Sequence, residues 1–580
     1  MFGTLFAPFL FLLLAVLFSA PAQAIELSAT GYLRNRVVYY HDLDTQKPNS
    51  NVNQGGLGDN DRFGSMLFVQ ERLRVEPILK INDNISLHAQ FDVLDNITAG
   101  TNATKNIDFL SPIVGTIQLP GAGGALGVTG GEAGENKALN IRRAYVDILT
   151  PGGKFRLGRQ PSHFGLGIFQ NDGNGLNDDF GDSFDRIMYL ASLETKRFGT
   201  INFGVVADFV FTKQEDPRIK GLGGAITGPT EDMRQFGGLF LYDYKDFTLG
   251  TFAGVRYRNG KEGTTTTTAR QILVDANGDP VLNSSGNYQL TDPLAAGTDG
   301  NTLLYFGDLY AEYKHGPFRV RGEYAVMAGK LSTGLAIDAI PFNNLPATAR
   351  GPIAMPAQNT MLVQMGAMEF EATYPFGDFL LQGGYASGDA QPLSSKITQF
   401  GFRPDYQIAL LLFHAPLGSS PQVTQANGNG AGSRQLVGAV PVTGNYINNA
   451  IYGALGYTYH LDISTLVPKA SDTKVGIKFI TAWAPSNNFD IDFAEMTGFA
   501  DLPRVVNSNK WYGWEADANF QSRFFDHFLF DLTAGLLMPG PAYDVEVAVF
   551  NPTNLAQVNT IPFDGANWIW GIRTNLIVDF

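Results

Sequence analysis

Counting back in twos from Phe580, the residues are Val578, Leu576, Thr574, Ile572, Trp570 and Trp568. The interleaved positions are Asp579, Ile577, Asn575, Arg573, Gly571, Ile569 and Asn567. Successive side chains of a strand point to opposite faces, so one face of this segment is greasy and aromatic-ended and the other mostly polar. A strand that is apolar outward and polar inward suits the wall of a transmembrane barrel. The bland alternative is an edge strand of a soluble sandwich.

The same pattern recurs from end to end. The first run, Ala29 to Tyr40, precedes a polar Asn/Gly stretch, and Arg62 to Lys80 then turns at Asn82-Asp83-Asn84 into Ile85 to Leu94. Asn140 to Leu149 turns at Pro151-Gly152-Gly153 into Lys154 to Gln160. Further tight turns are expected at Lys196 to Gly199, Tyr244 to Asp246, His315 to Pro317, Pro375 to Gly377, Lys469 to Asp472 and Arg523 to Asp526. Gly, Pro, Asn and Asp tolerate the backbone angles such turns need. Long loops fall around 43–61, 97–138, 162–182, 214–231, 260–300, 330–358, 389–445, 485–508 and 539–564.

Nine long loops and eight tight turns separate eighteen strands. The pattern predicts an all-β, transmembrane, antiparallel up-and-down barrel of about eighteen strands, with long extracellular loops and short periplasmic turns. An even count returns both ends to the periplasm, though sixteen or twenty strands stay open. Tyr406 to Leu417 is apolar enough to be a strand, but adding it alone breaks the parity. It is therefore assigned to the seventh loop, as a short helix or packed apolar segment. Leu110 to Val128, Gly-rich and uncharged, reads as a collapsed surface loop or as a loop folded into the lumen.

Targeting agrees. Leu5 to Phe18 is apolar but short, and Ala22 and Ala24 form an A-x-A-like cleavage site, so residues 1–24 read as a secretory signal and 25–580 as the barrel. The signal lacks the usual Lys or Arg near its start. No later run reaches eighteen apolar residues, yet 44% of the chain is hydrophobic and 12% aromatic. Alternation dilutes an apolar signal in that way. With no cysteine, disulfides, thiolate metal sites and cysteine nucleophiles are excluded. A net charge of −14 argues against nucleic acid as a partner.

Assigning the apolar parity outward leaves the lumen-facing set. Its basic members are Arg34, Arg36, Arg72, Arg74, Arg143, Arg156, Arg256, Arg258, Arg319 and Arg321, and its acidic members include Glu369, Glu371, Glu515 and Asp517. Arg or Lys on the lipid face costs roughly 2–4 kcal/mol at the midplane, so these side chains must meet water or protein. Two readings follow. Arg–carboxylate ladders would cross-brace the wall, or a basic stripe would attract a negatively charged solute through bidentate guanidinium contacts.

The stretch Arg142 to Gln160 (RRAYVDILTPGGKFRLGRQ) resembles the strand–turn–strand of the alginate-export family of outer-membrane barrels. Gly384 to Asp389 (GYASGD) and Phe400 to Tyr406 (FGFRPDY) are weaker echoes. The resemblance covers these patches and the general layout. It implies an eighteen-stranded barrel with an Arg-lined pore for an anionic polysaccharide, and it carries over only Arg142, Arg143, Arg156, Arg159 and Gln160. The acidic later strands and the uncharged second loop depart from a uniformly basic conduit.

Catalysis finds little support. The histidines are scattered, and neither a G-x-S-x-G elbow nor an H-E-x-x-H helix occurs; His163 and His414 stay open as outer-loop candidates. The acid-rich loop Asp172 to Asp185 reads as a solvated loop rather than a calcium site, since its spacing does not match an EF-hand. The expectation is a passive outer-membrane channel, embedded in lipid and without cofactor, for hydrophilic and preferentially anionic solutes or a linear polysaccharide. Its rivals are a non-conducting scaffold holding a periplasmic or electron-carrier partner, and a barrel enzyme.

Overall fold

The computed structural model describes residues 25–43, 66–98, 139–195, 197–212, 232–259, 302–332, 358–389, 396–415, 446–486, 509–543 and 568–580, together with short strand pieces in the loops. The segment expected to be a signal, residues 1–24, and Leu110 to Val128 lie outside the described residues. Eighteen antiparallel strands form the wall: β1 (Glu26–His41), β2 (Met66–Asn82), β3 (Ile85–Thr98), β4 (Leu139–Thr150), β5 (Gly153–Pro161), β6 (Ser183–Thr195), β7 (Gly199–Thr212), β8 (Asp232–Tyr244), β9 (Phe247–Asn259), β10 (Thr302–His315), β11 (Phe318–Ser332), β12 (Gln358–Tyr374), β13 (Gly377–Ala386), β14 (Ala450–Leu461), β15 (Ala470–Trp483), β16 (Trp511–Phe524), β17 (Phe528–Pro539) and β18 (Ile569–Asp579).

Each strand pairs with its sequence neighbours, and β1 pairs with both β2 and β18, so the ring closes. The eighteen-strand expectation holds. Closure leaves no unpaired edge in the hydrocarbon, where an unsatisfied peptide group has no water to turn to. Among the described residues no helix is long and apolar enough to cross a membrane, and the crossing is made by strands.

Local chemistry explains the turns. At the β2–β3 turn the Asn82 side chain accepts the N–H groups of Asn84 and Ile85 at 2.9 and 2.8 Å, a side-chain mimic of the backbone turn. One turn differs from the sequence expectation. The β14–β15 connection is not Lys469 to Asp472 but residues 462–469, where Asp462 accepts from the Ser464 N–H and the Ile463 carbonyl takes those of Leu466 and Val467. Lys469, the last residue before β15, and Asp472, within it, are both at positive φ, and the register slips between Ser471 and Lys474. The same residues that make tight turns also make bulges, and that is why the sequence misplaces it.

The wall obeys the two-residue period. Leu33, Phe203, Tyr305, Leu309, Leu381, Leu455 and Ile477 are exposed outward, while the arginines one position away on β1 are buried. The main apolar cluster lies inside the ring. It joins lumen-facing Phe252, Leu304, Phe306, Met327, Met365, Tyr452, Ile480 and Tyr512 to Phe164, Ile168, Phe169 and Leu410–Phe413 of two loops that fold inward. Tyr406 to Leu417 is thus a packed segment of the seventh loop and not a strand; residues 402–413 hold Phe402, Ile408, Leu410, Leu411, Leu412 and Phe413 almost fully buried.

Candidate functional site in the barrel lumen

Two loops meet inside the barrel: the third, between β5 and β6, and the seventh, between β13 and β14. The third is held on one wall by guanidiniums that grip its carbonyls. Arg34 donates to the Leu176 carbonyl at 2.8 Å and to Asp179 Oδ1 at 2.6 Å. Arg36 reaches Asp179 Oδ2 at 2.5 Å and the Asn177 carbonyl at 2.9 Å. Arg72 donates to the carbonyls of Asp178 and Asp179 at 2.6 and 3.0 Å. Arg74 makes a bidentate pair with Asp92 at 2.7 and 2.8 Å and also takes the Gly173 carbonyl at 2.9 Å.

Arg143 holds the Asn174 side chain at 2.7 Å and the Asp172 carbonyl. The register shifts on β4 between Arg143, opposite Gln90, and Ile141, opposite Phe91, and Arg142 at this bulge lies beside Arg143, 3.7 Å from Asp92. All five sequence-chosen arginines on β1, β2 and β4 are therefore buried beneath loop residues. Their donors were expected to meet solute or wall carboxylates; loop backbone supplies many of the acceptors.

Carboxylates grip the opposite pole of the loop peptides. Glu323 on β11 accepts the N–H groups of Leu166, Gly167, Ile168 and Phe169 at 2.5 to 3.4 Å. Gly165 permits that approach: a Cβ there would lie 2.5 Å from Glu323 Oε2. Glu515 on β16 accepts from Leu410, Leu411 and Leu412 at 2.9, 2.8 and 2.6 Å, and Asp517 shares the Leu410 N–H at 3.1 Å. Runs of converging N–H groups make cradles for acceptor oxygens, and here carboxyl side chains of the wall fill them.

The seventh loop makes further contacts with the wall. Lys478 of β15 donates to the Ile408 carbonyl at 3.1 Å, Tyr406 donates to Glu369 at 2.9 Å and Arg573 reaches Gln407 at 3.1 Å. His414 accepts the Ile408 N–H at 3.3 Å. Burial, with Arg573 and Lys478 nearby, pushes its pKa down to about 3, so it is a neutral structural acceptor.

The other sequence-chosen residues form ladders. Arg156 pairs bidentately with Asp147 at 2.6 and 2.8 Å. Arg319 meets Glu312 at 2.9 Å, and Arg321 meets Glu369 and Glu371 at 2.7 and 2.6 Å. Arg156, Arg319 and Arg321 keep partial exposure. Arg256 donates twice to the Gln235 amide oxygen at 3.1 and 2.8 Å, and Gln235 in turn donates to Asp208. Arg258 stands two residues beyond it at the end of β9, in register with Met233 and Thr302.

Sequence reasoning missed Asp179, Asp405 and Arg403 as individual residues. Asp179 is surrounded by Arg34, Arg36 and Arg72; although burial opposes it, these charges hold its carboxyl well below the usual range. Burial, then the Asp405 carboxylate, pushes neighbouring Asp178 up to about 7. The acid-rich loop is thus a ligand set for arginines. The available signal was Arg403-Pro404-Asp405, a charged pair set into an apolar loop run.

A family description, Gram-negative porin, matches residues 12–409. The chain belongs to the Gram-negative porin family. This porin is an outer-membrane channel. Its solved likenesses include OccK9 (OpdG) of Pseudomonas aeruginosa, at 9% identity over 96% of this chain and 99% of that one with a TM-score of 0.41. A BenF-like porin from Pseudomonas fluorescens Pf-5 is similar at 8% identity, 96% and 98% coverage and TM-score 0.40. An anion-selective porin from Comamonas acidovorans is similar at 10% identity, 96% and 100% coverage and TM-score 0.32. No curated protein matches the chain. These likenesses carry nothing about the solute.

Proposed function

We propose that this porin passes small hydrophilic solutes passively and favours anions. The reading rests on one observation: Arg143 and Arg256 face the lumen and donate to neutral oxygens, with no ion pair to either among the described residues. Their charges stay uncompensated at contact range, and low-dielectric walls focus such a field into the lumen. The buried arginines act through this field and through the loop they hold, not by touching the solute. Two loops packed against each other inside the ring favour a small anion over a polymer, so the alginate-like resemblance extends to the basic wall and not to a polysaccharide.

Reversal potential in planar bilayers under a salt gradient tests the reading. The wild-type channel is expected to prefer anions, and Arg256→Gln to lower the anion-to-cation permeability ratio by about twofold, the effect of one screened charge in a wet lumen. Arg256 grips neither inward loop, so the loss is electrostatic. Cation preference in the wild type overturns the proposal.

A further inference from the structure

The third and seventh loops are far apart in sequence, yet one buried carboxylate of the seventh gathers three consecutive peptide groups of the third. Asp405 of the seventh loop accepts the N–H of Asp179 at 2.8 Å and of Phe180 at 3.1 Å on Oδ1, and that of Gly181 at 2.6 Å on Oδ2. It is buried, and all three donors are consecutive peptide groups. Two further contacts frame it: the Arg403 N–H donates to the Ile168 carbonyl at 2.8 Å, and the Arg403 guanidinium pairs with Asp182. Pro404 limits the backbone between them, and the Tyr406 N–H closes the turn on the Arg403 carbonyl at 3.0 Å.

We propose that Asp405 is the positioning residue of the constriction: its carboxylate couples the two loops into a single strut crossing the lumen, so that neither loop moves alone. The strut begins at Arg34, Arg36 and Arg72 on β1 and β2, which hold residues 176–179. It passes through Asp405 and ends at Glu369, Lys478 and Glu515 on β12, β15 and β16, which hold residues 406–412. The third loop is also held by Glu323 on β11 and the seventh by Arg573 on β18, but these contacts tie each loop only to the wall; the cradle of residues 179–181 around Asp405, framed by the Arg403 contacts, ties the loops to each other. This deepens the channel reading and rests on it, since a strut governs selectivity only where solute passes.

The chemistry selects an ionised carboxylate. Asn at position 405 offers one acceptor oxygen and turns an NH2 group against the remaining N–H donors, so Asp405→Asn loses charge-assisted bonds and adds a donor–donor clash. The chain holds no cysteine, so Phe180→Cys gives a single reporter on the third loop and Gln407→Cys one on the seventh.

Labelling of both reporters by a membrane-impermeant maleimide is expected to accelerate by at least about tenfold in the Asp405→Asn background, the loss of one strong hydrogen bond or more. Single-channel conductance is expected to rise and flicker in the same variant. Acceleration at Phe180→Cys alone, or unchanged labelling in a barrel that keeps its heat-modifiable gel mobility, overturns the strut. If Asp405→Asn does not fold, hydrogen exchange in the unaltered protein decides: amides 179–181 protected like strand amides support the strut, and rapid exchange there overturns it. A wild-type barrel that labels as expected yet carries no current defeats the channel reading and leaves the strut standing.

Discussion

At the scale of single residues, the inward loop is held by an exchange of roles. Guanidiniums take peptide carbonyls and carboxylates take peptide N–H groups, so a loop with no regular hydrogen-bond ladder still finds partners for many of its buried peptide groups. The parity that turns Arg34, Arg36, Arg72 and Arg74 inward is legible in the alternation of β1 and β2; their acceptors are not, because carbonyls 99 to 144 residues away leave no trace in local pattern. Asp178 makes a pH test. Its pKa is raised to about 7 by burial and by the Asp405 charge, whereas Arg36, Arg34 and Arg72 keep Asp179 ionised. A raised acid binds its proton in the folded state above its unfolded pKa, so the loop is least stable above pH 7 and gains stability as pH falls from about 7 toward about 4. The same proton removes a negative charge from the constriction. Anion preference, read as reversal potential, should therefore increase between pH 8 and pH 6, and Asp178→Asn should flatten that response. Groups that face Asp178, including Asp172 and Asp405, remain in the variant, so a response that persists assigns the titration elsewhere.

At the scale of elements, strands and inward loops differ in what they write into the sequence. A strand with one lipid face repeats every two residues, so β1, β4 and β18 are visible at once. β10 is harder: Leu304 and Phe306 point into the lumen while Leu303 and Tyr305 point to lipid, because the inward loops make that half of the lumen apolar. Alternation is lost where both faces are buried in grease. The segment 406–417 is apolar for the same reason, packing on the inner wall instead of lipid, which is why it imitates a strand. Its register is set by Glu515, whose two oxygens receive Leu410, Leu411 and Leu412. Glu515→Ala removes these acceptors and leaves the buried Leu411 and Leu412 N–H groups unsatisfied, while Leu410 keeps Asp517. The opening free energy of the segment should fall by on the order of 2 kcal/mol, seen as roughly thirtyfold faster hydrogen exchange at residues 410–412. Strand amides of β16 should exchange as before; a global change would mean that the wall itself depends on this contact.

At the scale of the whole molecule, the ring depends on the seam between β1 and β18. There the Gly31 N–H donates to the Phe580 carbonyl at 2.9 Å and the Phe580 N–H returns to the Gly31 carbonyl at 3.0 Å, a closed pair of the kind that ends an antiparallel ladder. The Phe580 ring lies over Gly31 itself. A Cβ at residue 31 would meet that ring at 2.8 Å and the Arg74 carbonyl oxygen at 2.2 Å, so glycine is the residue that lets the last strand, the first strand and β2 approach together. Gly31→Val should push the Phe580 ring off the seam and strain the β1–β2 ladder at one point, costing about 1–3 kcal/mol, the usual range for overpacking. In urea titrations of folded barrels the midpoint should fall, with the slope unchanged if the ring still closes. Because the strut is anchored by Arg34 and Arg36 on the same strand, the seam and the constriction are linked through β1, and the variant should also show noisier open-channel current. An unchanged midpoint with quiet current would mean that β1 and β18 adjust around the new side chain without disturbing the loop they carry.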